Sequence, residues 1–139
     1  MLVYQNLGVS FQTDSSWLLT EKNYENRIRY RLDDPNGKFS FSMKYPLPLF
    51  LLSETQYLAK VLEAYPDAES SSVDTITISE KIFIRVSVVT ATRRFYHYFH
   101  FLQSVYDEIQ RQAVYEFIYD TSLENDDIAR ETILSTFQV

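Results

Sequence analysis

RIRYRLDDPNGKFSFSMKY, residues 27–45, holds the clearest structural signal in the chain. Ile28, Tyr30 and Leu32 alternate with Arg27, Arg29 and Arg31. Further on, Phe39, Phe41, Met43 and Tyr45 alternate with Lys38, Ser40, Ser42 and Lys44. Successive strand side chains point to opposite faces, so a period of two means one buried face and one wet face. Between the runs lies Asp33-Asp34-Pro35-Asn36-Gly37. Proline presets one turn dihedral and glycine tolerates positive φ, so the stretch predicts a β-hairpin.

Upstream, Val3, Tyr4 and Val9, Phe11 flank Asn6-Leu7-Gly8, which predicts a short strand pair over residues 2–12. Trp17 follows a polar run, and its large apolar area predicts a buried structural anchor. Downstream, Pro46 and Pro48 are expected to end the second strand of the hairpin. Ser53-Glu-Thr-Gln56 reads as a capping box. Leu58, Val61, Leu62 and Tyr65 then share one helical face until Pro66, which predicts a helix over about 54–65. Ser70-Ser71-Ser72 is expected to be a loop. Strands are predicted at about 75–90, bent or broken near Ser79-Glu80-Lys81, and at 94–103 and 113–120. A short loop is expected around Ser104 to Arg111. A second helix begins near Ser122 and runs to about Ser135, its acidic Glu124, Asp126 and Asp127 suiting the N-terminal dipole.

The apolar strands at 82–90 and 94–102 need cover on both faces, and the two helices carry the stripes to provide it. The expected fold is therefore a single α+β domain, residues 1–139, with antiparallel strands sandwiched between helices.

Composition narrows the function classes. Two glycines leave no phosphate-cradling loop. The absence of cysteine removes disulfides, thiolate metal sites and thiol catalysis. A net charge of -6 disfavours nucleic-acid binding, which needs clustered cations. Met1 to Gly8 lacks a basic n-region and an apolar h-region, so no signal peptide is expected. The apolar stretch Tyr45 to Leu52 is too short to span a bilayer, so no membrane span and a cytoplasmic location are expected.

No catalytic or metal constellation emerges, and no cofactor is expected. His97 and His100 are three apart on a predicted strand and point to opposite faces, so they cannot share a metal. Asp33-Asp34 and Asp126-Asp127 are explained by a turn and a helix start. Two surfaces stand out. Arg27, Arg29, Arg31, Lys38 and Lys44 form a basic face on an acidic protein, suited to an acidic protein segment; the same charges also serve as a device against aggregation. Tyr96, Tyr98 and His100 lie on one face of an aromatic strand, which is either a covered central strand or the wall of an aromatic groove.

The order of elements resembles the PsbP-like family, which includes the photosystem II extrinsic protein P and the Ran-binding Mog proteins. Gly8-Val-Ser-Phe11 followed by Trp17 is similar to that family's glycine/aromatic strand leading to Pro-x-x-Trp, with Asp14 or Ser15 standing where the proline usually precedes. Glu131-Thr-Ile-Leu-Ser-Thr-Phe-Gln-Val139 is similar to its closing Ile-x-x-Ser-Phe signature. Ile82 to Thr90, Phe95 to Gln103 and Tyr115 to Asp120 match three consecutive strands before that helix. The resemblance implies an α-β-α sandwich around an antiparallel sheet. It implies no single function: members include photosystem accessory proteins, bacterial lipoproteins, nuclear-transport factors and, in a related branch, type VI secretion effector chaperones. Most act as binding modules. A photosystem role has no support without an export signal. The expected function is a non-catalytic bacterial protein-binding or accessory domain. The alternatives are a small-molecule carrier with an aromatic pocket, a chaperone-like adaptor, or a hydrolase assembled from distant residues.

Overall fold

A computed structural model describes residues 2–6, 8–13, 18–24, 28–35, 37–48, 53–106, 109–121 and 127–139. Trp17, Arg27, the start of the second helix near Ser122 and the Asp14–Ser15 positions lie outside the described residues. The chain runs β1 (Leu2–Asn6), β2 (Val9–Thr13), β3 (Thr20–Tyr24), β4 (Ile28–Asp33), β5 (Phe39–Pro48), α1 (Glu54–Leu62), β6 (Ser70–Ile78), β7 (Lys81–Val89), β8 (Arg94–Tyr106), β9 (Ile109–Asp120) and α2 (Asp127–Thr136). It is an α+β fold. A 7-stranded sheet in the order β3-β4-β5-β9-β8-β7-β6 is antiparallel throughout, and β1 and β2 form a separate antiparallel pair.

The residue 27–45 hairpin is present as β4 and β5, with Leu32 opposite Phe41. Gly37 turns it at φ 73°, and its amide donates to the Asp34 carbonyl. Gly8 does the same office between β1 and β2 at φ 74°. The helix cap is also present: the Ser53 hydroxyl accepts from the Gln56 amide, and the Ser53 amide donates to Gln56 Oε1. Two orphan amides of the first turn are thereby satisfied.

Four sequence expectations are corrected, and the break expected near Ser79-Glu80-Lys81 is present. Ser70-Ser71-Ser72 begins β6 instead of forming a loop, because an edge strand can expose small polar side chains while its backbone pairs. Residues 75–90 are two strands, joined where a break was expected, with Ile78 paired to Lys81 across Ser79 and Glu80. Pro46 and Pro48 lie within β5 rather than beyond it. The ladder skips between Lys44 and Leu47, so Pro46 falls where no ladder amide is required, and Pro48 is the last strand residue. The loop expected around Ser104 to Arg111 gives way to strand on both sides, since Ser104 pairs with Arg111 and Tyr106 with Ile109. α1 ends at Leu62, four residues before Pro66.

Strand alternation gives the sheet two unlike faces. On one, Leu32, Phe39, Phe41, Phe83, Tyr98, Tyr115, Phe117 and Tyr119 pack against Val9 and Phe11 of the small hairpin and Ile133, Leu134 and Phe137 from the C-terminal helix and its extension. Phe137 is a hub there, its ring 4.9 Å from Phe117 and 5.5 Å from Tyr115. On the other face, Tyr57 and Val61 of α1 cover Val86, Val88 and Phe99, with Leu58, Leu62 and Tyr65 packed alongside. The helices thus sit against opposite faces.

Candidate functional site

Register defines what α1 covers and what it leaves. One row across the sheet reads Lys22, Arg31, Ser42, Glu116, Phe99, Ile84, Thr75. The next reads Thr20, Asp33, Ser40, Ile118, His97, Val86, Val73. Opposed residues of an antiparallel ladder share a face. The α1 stripe packs over the β6–β8 ends of these rows, on Phe99, Ile84, Val86 and Val73. The β3–β5 ends are polar: Lys22 and Arg31 are exposed, and Ser40 and Ser42 are half-buried.

The basic positions fall mostly in this polar half. Arg31 keeps half its side chain (50%) in solvent, and its Nε donates to both oxygens of Asp33, at 2.9 and 3.0 Å. Part of its charge is therefore answered locally. Arg29 and Lys44 stand opposite each other in the β4–β5 ladder. Lys38 is exposed, lies one residue before β5, and lends its carbonyl to the Asp120 amide. Lys22 joins the row beside Arg31 and was missed from sequence, because Thr20-Glu-Lys-Asn-Tyr24 carries no apolar alternation to announce a strand.

Tyr96, Tyr98 and His100 share the opposite face, where they pack against or beside side chains of α2 and its extension. Tyr98 is 1% exposed. The Arg130 guanidinium sits 4.3 Å from the centre of the Tyr96 ring, a cation–π contact made from α2. His100 packs on Phe83 at 5.4 Å and Phe137 at 5.8 Å, and its Nδ1–H donates to the Ile82 carbonyl at 2.9 Å. Burial raises the Tyr98 phenol above its ordinary range, against the lowering pull of Arg130 and Arg85.

The border between the covered and polar halves holds a chain of hydrogen bonds that sequence did not show. His97, 5% exposed, lies within 2.8 Å of Glu116 Oε2 through Nδ1 and 2.6 Å of the Tyr65 hydroxyl through Nε2. A carboxylate only accepts, so the His97 Nδ1–H donates to Glu116, while Nε2 is bonded to the Tyr65 hydroxyl. The residues are far apart in sequence, and only the β8–β9 pairing and the exit of α1 bring them together. Burial, then Glu116 and Asp120, push the Tyr65 phenol up to about 12. Asp120 in turn pairs with Arg93. The order Tyr–His–Glu has the outline of an acid–base triad, but the phenol is held protonated and both imidazole nitrogens are already engaged. Its physical effect is to bolt the end of α1 to β8 and β9.

Among the described residues, no group of three or more His, Cys, Asp or Glu side chains could hold a metal ion. Among the described residues, too, no helix is long and apolar enough to cross a membrane. No family model and no curated protein matches the chain.

Proposed function

We propose that this chain is a non-catalytic protein-binding domain, a cytoplasmic accessory or adaptor module of PsbP-like type, whose partner presents an acidic segment to the β3–β5 half of the sheet. One observation carries the reading. On a chain of net charge -6, the row Lys22–Arg31–Ser42 sets cationic positions on the half of a sheet face that lies beyond the apolar contacts of α1. Charge of the minority sign steers a partner of the opposite sign, and rim charges act mainly on association rate and salt sensitivity. What speaks for binding over turnover is the occupied state of the His97–Glu116 pair at the border of this surface. A carrier reading has less to rest on, because the aromatic face of β8 is filled by side chains of α2 and the hairpin.

Charge reversal at Arg29 and Arg31 together tests the proposal. The double variant is expected to keep the wild-type circular dichroism spectrum and to lose its acidic partner in cross-linked pull-downs at low salt. Raised salt should produce the same loss in the wild type. An unchanged partner set at low salt would overturn the reading.

A further inference from the structure

The two edges of the main sheet are built differently. β3 is 5 residues long and carries exposed Glu21 and Lys22, the short charged form that blunts an edge. β6 is 9 residues long, pairs with β7 in unbroken register from Ser70 to Ile78, and contains no proline, lysine or bulge. Among the described residues, no backbone hydrogen bond outside the β6–β7 ladder engages residues 70–78. Alternate residues of such an edge turn an amide and a carbonyl outward, ready for another strand. Apolar side chains also reach this rim on both faces. Half-buried Val73 packs into the α1 cluster, and half-buried Ile76 and Ile78 pack into the cluster of the small hairpin and α2. Charge selects which strand fits. Exposed Glu69 stands just before β6 and exposed Glu80 just beyond it, so a carboxylate marks each end. Exposed Glu54 reaches from the first turn of α1 to accept from the Thr75 hydroxyl, which sets another carboxylate over the middle of the strand. Asp74 is answered by its two-pronged pair with Arg85. Half-buried Lys81 stands opposite Ile78, and Lys60 in the last turn of α1 is followed by Glu63 at the cap. Acids therefore prevail along this edge.

We infer that β6 takes an extended cationic segment of another protein as one more strand of the sheet, apolar along its middle and bearing lysine or arginine at both ends. Backbone pairing supplies the affinity of such an added strand, and its side chains supply the specificity. Apolar side chains in the middle of the segment continue the layers that Val73, Ile76 and Ile78 bring to the rim. Cations at its ends meet Glu69 and Glu80. The same charges turn away a second copy of this chain. Antiparallel pairing of two β6 strands sets Asp74 against Asp74 and brings the Glu69 end of each toward the Glu80 end of the other. This edge lies at the far side of the sheet from the β3–β5 half assigned to an acidic partner, and the inference does not depend on that assignment.

Calorimetry and amide exchange on the whole chain with a synthetic peptide test it. The probe matches β6 in length, with lysines at both ends and alternating valine and threonine between. It is expected to bind, to slow amide exchange across residues 70–78, and to loosen as salt is added. Replacing its lysines by glutamates, or N-methylating its backbone amides, should each weaken binding at least about tenfold. Glu69→Lys with Glu80→Lys changes exposed positions outside the strand. That variant should keep its circular dichroism, lose about tenfold in affinity for the lysine peptide, and gain in affinity for the glutamate peptide. No binding at about 1 mM lysine peptide would overturn the inference. Equal affinity for the two peptides, indifference to N-methylation, or protection that falls on β3 would do the same. So would protection of residues 70–78 that grows with protein concentration in the absence of peptide, the mark of a second copy.

Discussion

At the scale of residues, buried polar groups set the sharpest demands. His97 has a partner at each ring nitrogen, and removing one leaves a buried polar atom unpaired. Tyr65→Phe is therefore expected to cost about 1–3 kcal/mol in urea denaturation. Tyr57 has a different signature. Burial pushes its phenol from 10.0 up to about 12, while its ring packs at a tilt against Phe99 and Phe101 at 5.0 and 5.4 Å. A raised folded pKa means stability that is whole below the unfolded value and lost as pH climbs through the folded one. Alkaline unfolding should thus set in between pH 10 and about 12, and Tyr57→Phe should move its midpoint upward with little change at neutral pH. Thr13 is the opposite case: 1% exposed, with no partner for its hydroxyl among the described residues. Thr13→Val keeps the shape and removes the unpaired oxygen, so thermal melting should be unchanged or higher, by up to about 1–3 kcal/mol of stability.

At the scale of elements, the β6–β7 connection carries stored strain. Ser79 and Glu80 both adopt positive φ, 48° and 68°, the backbone of a two-residue hairpin turn that ordinarily takes Asn-Gly. Each side chain in that region costs roughly 1 kcal/mol. Ser79→Asn with Glu80→Gly is expected to stabilise the domain by about 1–2 kcal/mol, read from the denaturation midpoint. The same turn shows why some elements could be read in sequence and others could not. The 27–45 hairpin announced itself because one face is core and the other wet. The helix announced itself through Ser53 and Gln56. β3 and the start of β6 carry polar runs and are strands only because β4 and β7 hold them. Ser79-Glu80 gave a hint of a break without the glycine that would have named the turn. The candidate site was legible in part: alternation indicated the cationic positions of β4, but Lys22 needed the β3–β4 register, and Tyr65–His97–Glu116 needed the packing of α1.

At the scale of the whole molecule, two helices and one small hairpin must cover two faces of a seven-stranded sheet. The hairpin and α2 cover one face from Leu32 to Phe83, and α1 takes part of the other. The serines and cations of the remaining rows suit a face that meets water or a polar partner. The cover itself joins opposite ends of the chain. The Ser10 amide and carbonyl bond to the carbonyl and amide of Gln138, and the Gln12 amide donates to the Thr136 hydroxyl at 2.9 Å. Contacts of such separation are slow to form, because loop closure must precede any gain. During synthesis, residues 2–13 emerge ahead of residues 127–139 and find their full seat only after these have followed. The small hairpin that precedes the whole sheet in sequence is thus among the last pieces to be locked against it, through Val9 and Phe11.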